Sequence, residues 1–278
     1  MANNLGLKTA FKKGADLGLI LNSDIIADAK MVENLVKTYN RKKMTVKKLG
    51  LIQPVILLAQ NRNKVNTLGN TIHYLGFGYC GNYFTVYKKS LNDKEIFSVS
   101  GAAMLISRQY FNQVGGFDEN FFMLGEDQDL SWRGLILGYK HFISSKAIAY
   151  HDYQFGRHQQ HKYLEEKNRL IMLMKNYSGK TLVFLTPILL INEIAIIIYS
   201  ILESWLGLKL KTYWAICRNL KIILKKRKEV QKKRVVNDKK LFSIFKPTID
   251  FPPVNNFVIR YLVNPLYLTY YRLVYFFL

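Results

Sequence analysis

Over the first 155 positions, apolar residues come in short runs separated by polar turns. Beyond position 180 they come in two long runs. Ala15–Leu21 ends in Asn22, Ser23 and Asp24, the pattern of a buried strand that empties into a polar turn. Asp28–Tyr39 has helical spacing, with Met31, Leu35 and Val32 on one face. Leu49–Leu58 is a second apolar strand, and Phe97–Ser107 a third, which carries the small residues Ser100, Gly101, Ala102 and Ala103. Between them, Asn61–Asp93 is rich in Gly, Asn and Tyr. It reads as a long, partly ordered excursion of the kind that often carries function. Glu126–Leu137 predicts a helix with acids in its first turn and Gly138 as its stop. Tyr139–Ile143 and Ala147–His151 read as short strands, and Gln160–Tyr177 as a helix. There is no internal repeat and no low-complexity linker. The expected class is α/β over residues 1–178, followed by a helical region over 179–278.

The first long run, Leu182–Leu208, has the length of a bilayer span. Asn192, Tyr199 and Glu203 share one helical face, however, and this polar stripe argues for an interfacial or packed helix. Phe257–Leu278, broken by Arg260, Asn264, Pro265 and Arg272, reads as a second interfacial element or as a helix of the soluble core.

Charge sharpens this picture. The 278 residues carry 41 Lys and Arg against 19 Asp and Glu, a net +22, and 49% are hydrophobic. That is enough apolar material for a core and too much for a disordered chain. Fourteen of the basic residues and only two acids, Glu229 and Asp238, fall in 209–246. A nucleic-acid-binding domain with an evenly basic surface does not look like this, and no nucleic acid is expected as a partner. A basic stretch beside apolar ones suggests an anionic membrane surface; a solvated basic helix is the alternative. Lys175 and Lys180 precede the apolar run and the basic stretch follows it. A single span would place one basic flank outside, so peripheral or monotopic attachment at the cytoplasmic face is expected. Cys80 and Cys217 have neither zinc-ligand nor CxxC spacing, and residues 1–16 lack the apolar core of a secretory signal.

Three places could do chemistry. Asp24, at the end of a buried strand, could hold Mg²⁺ or Mn²⁺ or simply cap the following turn. Glu126, Asp127 and Asp129 put three carboxylates at a helix start. There an ionised carboxylate can act as a general base, or the acids can serve as caps, with Asp129 pairing Arg133 at i,i+4. His151, at a strand end, matters if it faces the same site; His158 and His161 read as surface residues.

The order of these pieces resembles the family 2 glycosyltransferases of the GT-A fold, in their rhamnosyltransferase-like branch. The resemblance spans about residues 2–178. It rests on Asn3-Asn4-Leu5-Gly6, Gly14-Ala15-Asp16, Leu21-Asn22-Ser23-Asp24, Ser100-Gly101-Ala102, Gly115-Gly116-Phe117-Asp118-Glu119, Phe121-Phe122-Met123, Glu126 through Arg133, and Gly138-Tyr139. It implies a truncated GT-A, Rossmann-like mixed sheet with helices, and inverting sugar transfer from a nucleotide-sugar donor to a sugar or lipid-linked acceptor. Asp24 matches the last acid of the motif that holds the divalent cation on the donor diphosphate, and His151 a histidine that approaches it. Asp127 matches the base that deprotonates the acceptor, with Glu126 beside it. Gly101, Asp129 and Arg133 fall at substrate-binding positions. Asn22 and Ser23 occupy the motif's first two positions, so fewer carboxylates reach the cation. Family members begin with two further βα units. Their absence here predicts a free sheet edge, and implies a fragment or miscalled start, a partner chain supplying that half, or a protein that has lost donor binding and is a non-catalytic remnant that binds a membrane or partner.

Overall fold

A computed structural model describes residues 2–153 and 160–278, and these fall into two compact units. His158 lies outside the described residues.

The first unit comprises residues up to 72, 78–120 and 126–153. In chain order its elements are α1 (Ala2–Lys12), β1 (Leu17–Leu21), β2 (Ile25–Ala27), α2 (Met31–Thr45) and β3 (Leu49–Leu58), then β4 (Val65–Thr67), β5 (Asn70–Ile72), β6 (Gly78–Cys80) and β7 (Lys94–Ile96). After these come β8 (Ala103–Ser107), α3 (Arg108–Val114), α4 (Glu126–Ile136) and β9 (Lys140–His151). The main sheet runs β1-β8-β3-β9-β2, with β4 added to β3 and β7 to β9. β3 and β9 are parallel and every other pair in this sheet is antiparallel, so the sheet is mixed, as expected. β5 and β6 form a separate hairpin.

β3 is buried along its whole length, which is why its sequence, Gln53 apart, is an apolar run rather than an alternating one. Met31 and Leu35 are fully buried against Ile52, Phe142 and Ala149, so one face of α2 closes one side of the sheet. Val32, expected on that face, is half exposed. The helix also runs six residues past Tyr39, because Arg41, Lys42 and Lys43 continue its solvent face. The two strands read at 139–143 and 147–151 are one strand, β9, whose register against β3 shifts between Pro54 and Val55. The third strand is shorter than expected: residues 98–102 form a loop before β8. Gly138 ends α4 as anticipated, at φ 82°, a left-handed conformation that favours glycine.

α1 is not legible as a long apolar pattern. Its Leu7 and Phe11 pack so close to β1 that a Cβ on Gly18 would lie 2.4 Å from Leu7. On its outer side β1 pairs with no described strand.

The second unit comprises 73–77, 121–125 and 160–278. Its helices are α5 (Gln160–Asn176), α6 (Gly179–Leu202), α7 (Leu206–Lys232), α8 (Asp238–Phe242) and α9 (Asn264–Phe277), the last entered through a π-helical turn at Ile259–Val263. The helix read at 160–177 thus groups with the C-terminal helices. Ser178 caps α6 by accepting from the Thr181 N–H, and Asn237 caps α8 from Lys240.

α6 is long and apolar enough to cross a membrane. It buries Thr181, Leu185, Ile188, Asn192 and Ser200 at helical spacing. The opposite stripe, Val183, Leu190, Ile194, Ile198 and Leu202, is exposed. The expected polar stripe does not act as a unit. Asn192 is buried and accepts from the Tyr267 hydroxyl at 2.5 Å, whereas Tyr199 is half exposed beside Trp205.

Glu193 also ties α6 down. It pairs with Arg169 of α5 and Lys209 of α7, and both bases also hold Glu166. The Lys209 ammonium lies 2.7 Å from Glu193 Oε2, and the Tyr213 hydroxyl donates to the same oxygen at 2.7 Å. Burial opposes ionisation of Glu193, but Arg169 and Lys209 outweigh it and bring its carboxyl down to about 2. A depressed carboxylate stabilises the fold above its unfolded value near 4.5 and loses that contribution as pH falls. The helical unit is therefore expected to loosen between about pH 4.5 and 2. Near-UV circular dichroism of its aromatic side chains checks this; an unchanged spectrum down to pH 2 contradicts it.

Candidate active site

The first unit's sheet topology gathers the candidate residues at one end. β1, β3 and β9 point their carboxyl ends the same way, and antiparallel β8 begins there. Ligands of open α/β sheets bind outside such carboxyl ends. Leaving β1, the chain bonds Asn22 N–H to Ala102 O at 2.9 Å, then crosses to β9, where Ile25 pairs with His151. This crossing sets Asp24 Oδ1 3.4 Å from His151 Nε2. The Asp24 side chain is half exposed and the imidazole nearly buried. Burial lowers His151 from its ordinary value, with Asp24 working in the opposite direction.

On the β8 side, Asp127 stands at the start of α4. Its Oδ2 accepts from the Gly101 N–H at 2.7 Å and its Oδ1 from the Gln128 N–H, also at 2.7 Å. Asn70 Nδ2 adds a longer contact to Oδ2, at 3.5 Å. Burial raises Asp127, against the two backbone N–H groups, which favour its charge. Glu126 is pushed up to about 7, by burial first and then by the Asp127 charge. Among the described residues its buried Oε2 has no hydrogen-bond partner. A buried acid of this kind is the orphan that a bound hydroxyl would satisfy. A Cβ on Gly101 would meet Asp127 Cβ at 3.3 Å, so the glycine lets the loop approach the acid this closely.

The other predicted positions lie elsewhere. Asp129 and Arg133 are buried and paired at 2.7 Å, and Arg133 also donates to the carbonyls of Val114 and Gly116. They anchor the turn after α3 rather than joining Asp24, His151 and Asp127. His161 is half-buried in α5. A cavity of about 320 Å³ lined by Arg41, Lys42, Asn92, Asp93, Ser145 and Lys146 contains none of the candidate residues.

Three residues beyond the predicted set shape the site. Gln53, fully buried in β3, accepts from the Ser100 N–H at 2.8 Å and so steadies the loop that carries Gly101. Asn66 meets His151 Nδ1 at 3.0 Å, and Asn70 reaches Asp127. A lone Gln inside an apolar strand was the visible signal for the first. The asparagines had only the Asn-rich character of their segment.

Among the described residues no three His, Cys, Asp or Glu side chains converge as a metal cage. Asp24 and His151 nevertheless suit a hard divalent cation that takes one or two protein donors and completes its shell with diphosphate oxygens and water.

No family model matches the chain. Over 84 residues it is 36% identical to the N-acetylglucosaminyl-diphospho-decaprenol L-rhamnosyltransferases of two Mycobacterium tuberculosis strains, CDC 1551 / Oshkosh and ATCC 25618 / H37Rv. The match covers 29% of this chain and 27% of each relative, so the chain spans about a quarter of the length of the curated relatives it matches. This local likeness falls in the same branch as the resemblance read from the motifs. Among solved structures, GalNAc-T7 with UDP, GalNAc and Mn²⁺ aligns at 13% identity and a TM-score of 0.49, over 64% of this chain and 34% of that one.

Proposed function

We propose that the chain carries the acceptor and cation side of an inverting glycosyltransferase, which moves a sugar from a nucleotide-sugar donor to a lipid-linked acceptor hydroxyl. The observation that carries this reading is the gathering of Asp24 with His151, and of Gly101 with Asp127, at the carboxyl end of one sheet. The rhamnosyltransferase likeness supports L-rhamnose as the first donor sugar to try and an N-acetylglucosaminyl diphospholipid as the first acceptor.

Asp127 takes the proton from the acceptor hydroxyl, and that oxygen then displaces the nucleoside diphosphate from the anomeric carbon. The Gly101 and Gln128 N–H groups hold the carboxylate in place and disperse its charge. Glu126 offers its free oxygen to the acceptor. Asp24 and His151 would hold Mg²⁺ or Mn²⁺, which when bound neutralises the charge of the departing diphosphate. No Ser-His-Asp or Cys-His set is needed, because direct displacement requires no protein nucleophile.

The helical unit attaches the chain to an anionic membrane at the cytoplasmic face. The exposed stripe of α6, with Phe257, Leu262, Leu266, Leu273 and Phe276 around α9, supplies apolar contact. Trp214, exposed on α7 beneath the Arg218 guanidinium, sits among lysines suited to phosphate headgroups. In this reading a partner chain would occupy the outer edge of β1.

The test is calorimetry of the full chain with nucleotide-activated L-rhamnose, with and without Mn²⁺, together with co-sedimentation on anionic and neutral vesicles. Binding that requires Mn²⁺ and weakens in Asp24→Ala supports the reading. Absence of any nucleotide-sugar binding favours the non-catalytic alternative, a membrane- and partner-binding fragment.

A further inference from the structure

We propose that Asn66 is a positioning residue that fixes the tautomer of His151, so that the Nε2 lone pair and Asp24 together face a divalent cation. The inference rests on the transferase reading for the use of that cation and adds the residue that sets its seat.

Asn66 lies on β4 and is 1% exposed. Its Nδ2 points at Cys80 Sγ, 3.9 Å away on β6, which leaves Oδ1 facing His151 Nδ1 at 3.0 Å. An amide oxygen only accepts, so Nδ1 carries the hydrogen of this contact. A neutral imidazole has one N–H, and Nε2 is then left with a lone pair. That lone pair lies 3.4 Å from a carboxylate oxygen of Asp24. Two acceptors so placed share no hydrogen, and a divalent cation turns both into ligands.

His141 supplies the contrast within the same unit. Its Nδ1 accepts from the Leu51 N–H at 2.9 Å, so Nε2 carries the hydrogen and donates to Ser131 O at 3.0 Å. Both ring nitrogens of His141 are spent on backbone. Those of His151 are divided between a buried amide and a half-exposed carboxylate. The segment carrying β4, β5 and β6 therefore acts on both halves of the site, through Asn66 on His151 and through Asn70 on Asp127.

The test begins without metal. In the full chain labelled with ¹⁵N-histidine, long-range ¹H–¹⁵N correlation should give the Nδ1–H pattern for His151, assigned by its loss in His151→Gln, and the Nε2–H pattern for His141. In Asn66→Leu, His151 should revert to Nε2–H bonded to Asp24. Affinity for MnCl₂ alone, by calorimetry, should then fall about 10- to 100-fold. Asn66→Asp, whose carboxylate accepts the same Nδ1–H, should keep both the tautomer and the affinity. An Nε2–H pattern at His151 in the wild type overturns the proposal, however the variants fold. So does unchanged Mn²⁺ affinity in folded Asn66→Leu, and in that case the transferase reading stands. A wild-type chain that binds no Mn²⁺ overturns the proposal together with the cation part of that reading.

Discussion

Asp127→Asn is expected to cut sugar transfer by about 10²- to 10⁴-fold, the usual contribution of a positioned general base, while nucleotide-sugar binding persists. The carboxylate is held by two N–H donors, one to each oxygen. An Asn side chain has one acceptor oxygen and must turn its NH₂ towards Gly101 or Gln128, so a parallel thermal melt separates loss of the base from loss of the fold. Turnover at the wild-type rate would remove Asp127 from the base role. The pH profile carries a second expectation. Transfer needs ionised Asp127, whose carboxyl burial holds above the ordinary aspartate range, so the rate should fall as pH drops through that raised range. Glu126, pushed up to about 7, takes its proton first as pH falls, so Glu126→Gln should leave the acid limb set by Asp127 in place.

Lys209→Met is expected to destabilise the helical unit by about 3–5 kcal/mol, the range for removing one partner of a buried ion pair. Lys209 is fully buried, and without it Glu166 and Glu193 share a single guanidinium. Differential scanning calorimetry reads the loss directly. Replacing Glu166, Arg169, Glu193 and Lys209 together with apolar residues of similar volume should cost far less, since no charge is then left alone in the interior. A Lys209→Met melt within 1 °C of wild type would mean that water reaches the cluster.

The sheet was legible where burial imposes a plain pattern. β3 is apolar apart from Gln53 because both its faces are covered, and α4 is bounded by its acids and by Gly138. α1 was missed because it has only two buried large apolar residues, Leu7 and Phe11. β9 was split because Ser144 and Ser145 interrupt its apolar run, and they are bonded sideways to Thr38 and Asp93. At the site, acids at a strand end and a helix start could be found by type and position. Gln53 showed only as a lone amide in an apolar strand and Asn66 not at all, since a buried amide acquires its role only from the partners that tertiary pairing brings to it. The stripe of Asn192, Tyr199 and Glu203 had the right angles on a helical wheel, yet its neighbour Glu193 makes the buried ion pairs. Angle along one helix says nothing about which cations the adjacent helices bring.

Glu193 also bears on how the chain is made. Arg169 leaves the ribosome before it and Lys209 after it, so the carboxylate emerges with only one of its two bases in place. A translocon sampling α6 at that moment meets an acid within its apolar stretch, at a cost of roughly 2.5–3.5 kcal/mol for an acidic residue at the centre of an inserted segment. An unpaired Glu193 thus raises the cost of placing this helix in lipid, a cost that its pairing with Arg169 and Lys209 in the folded unit removes.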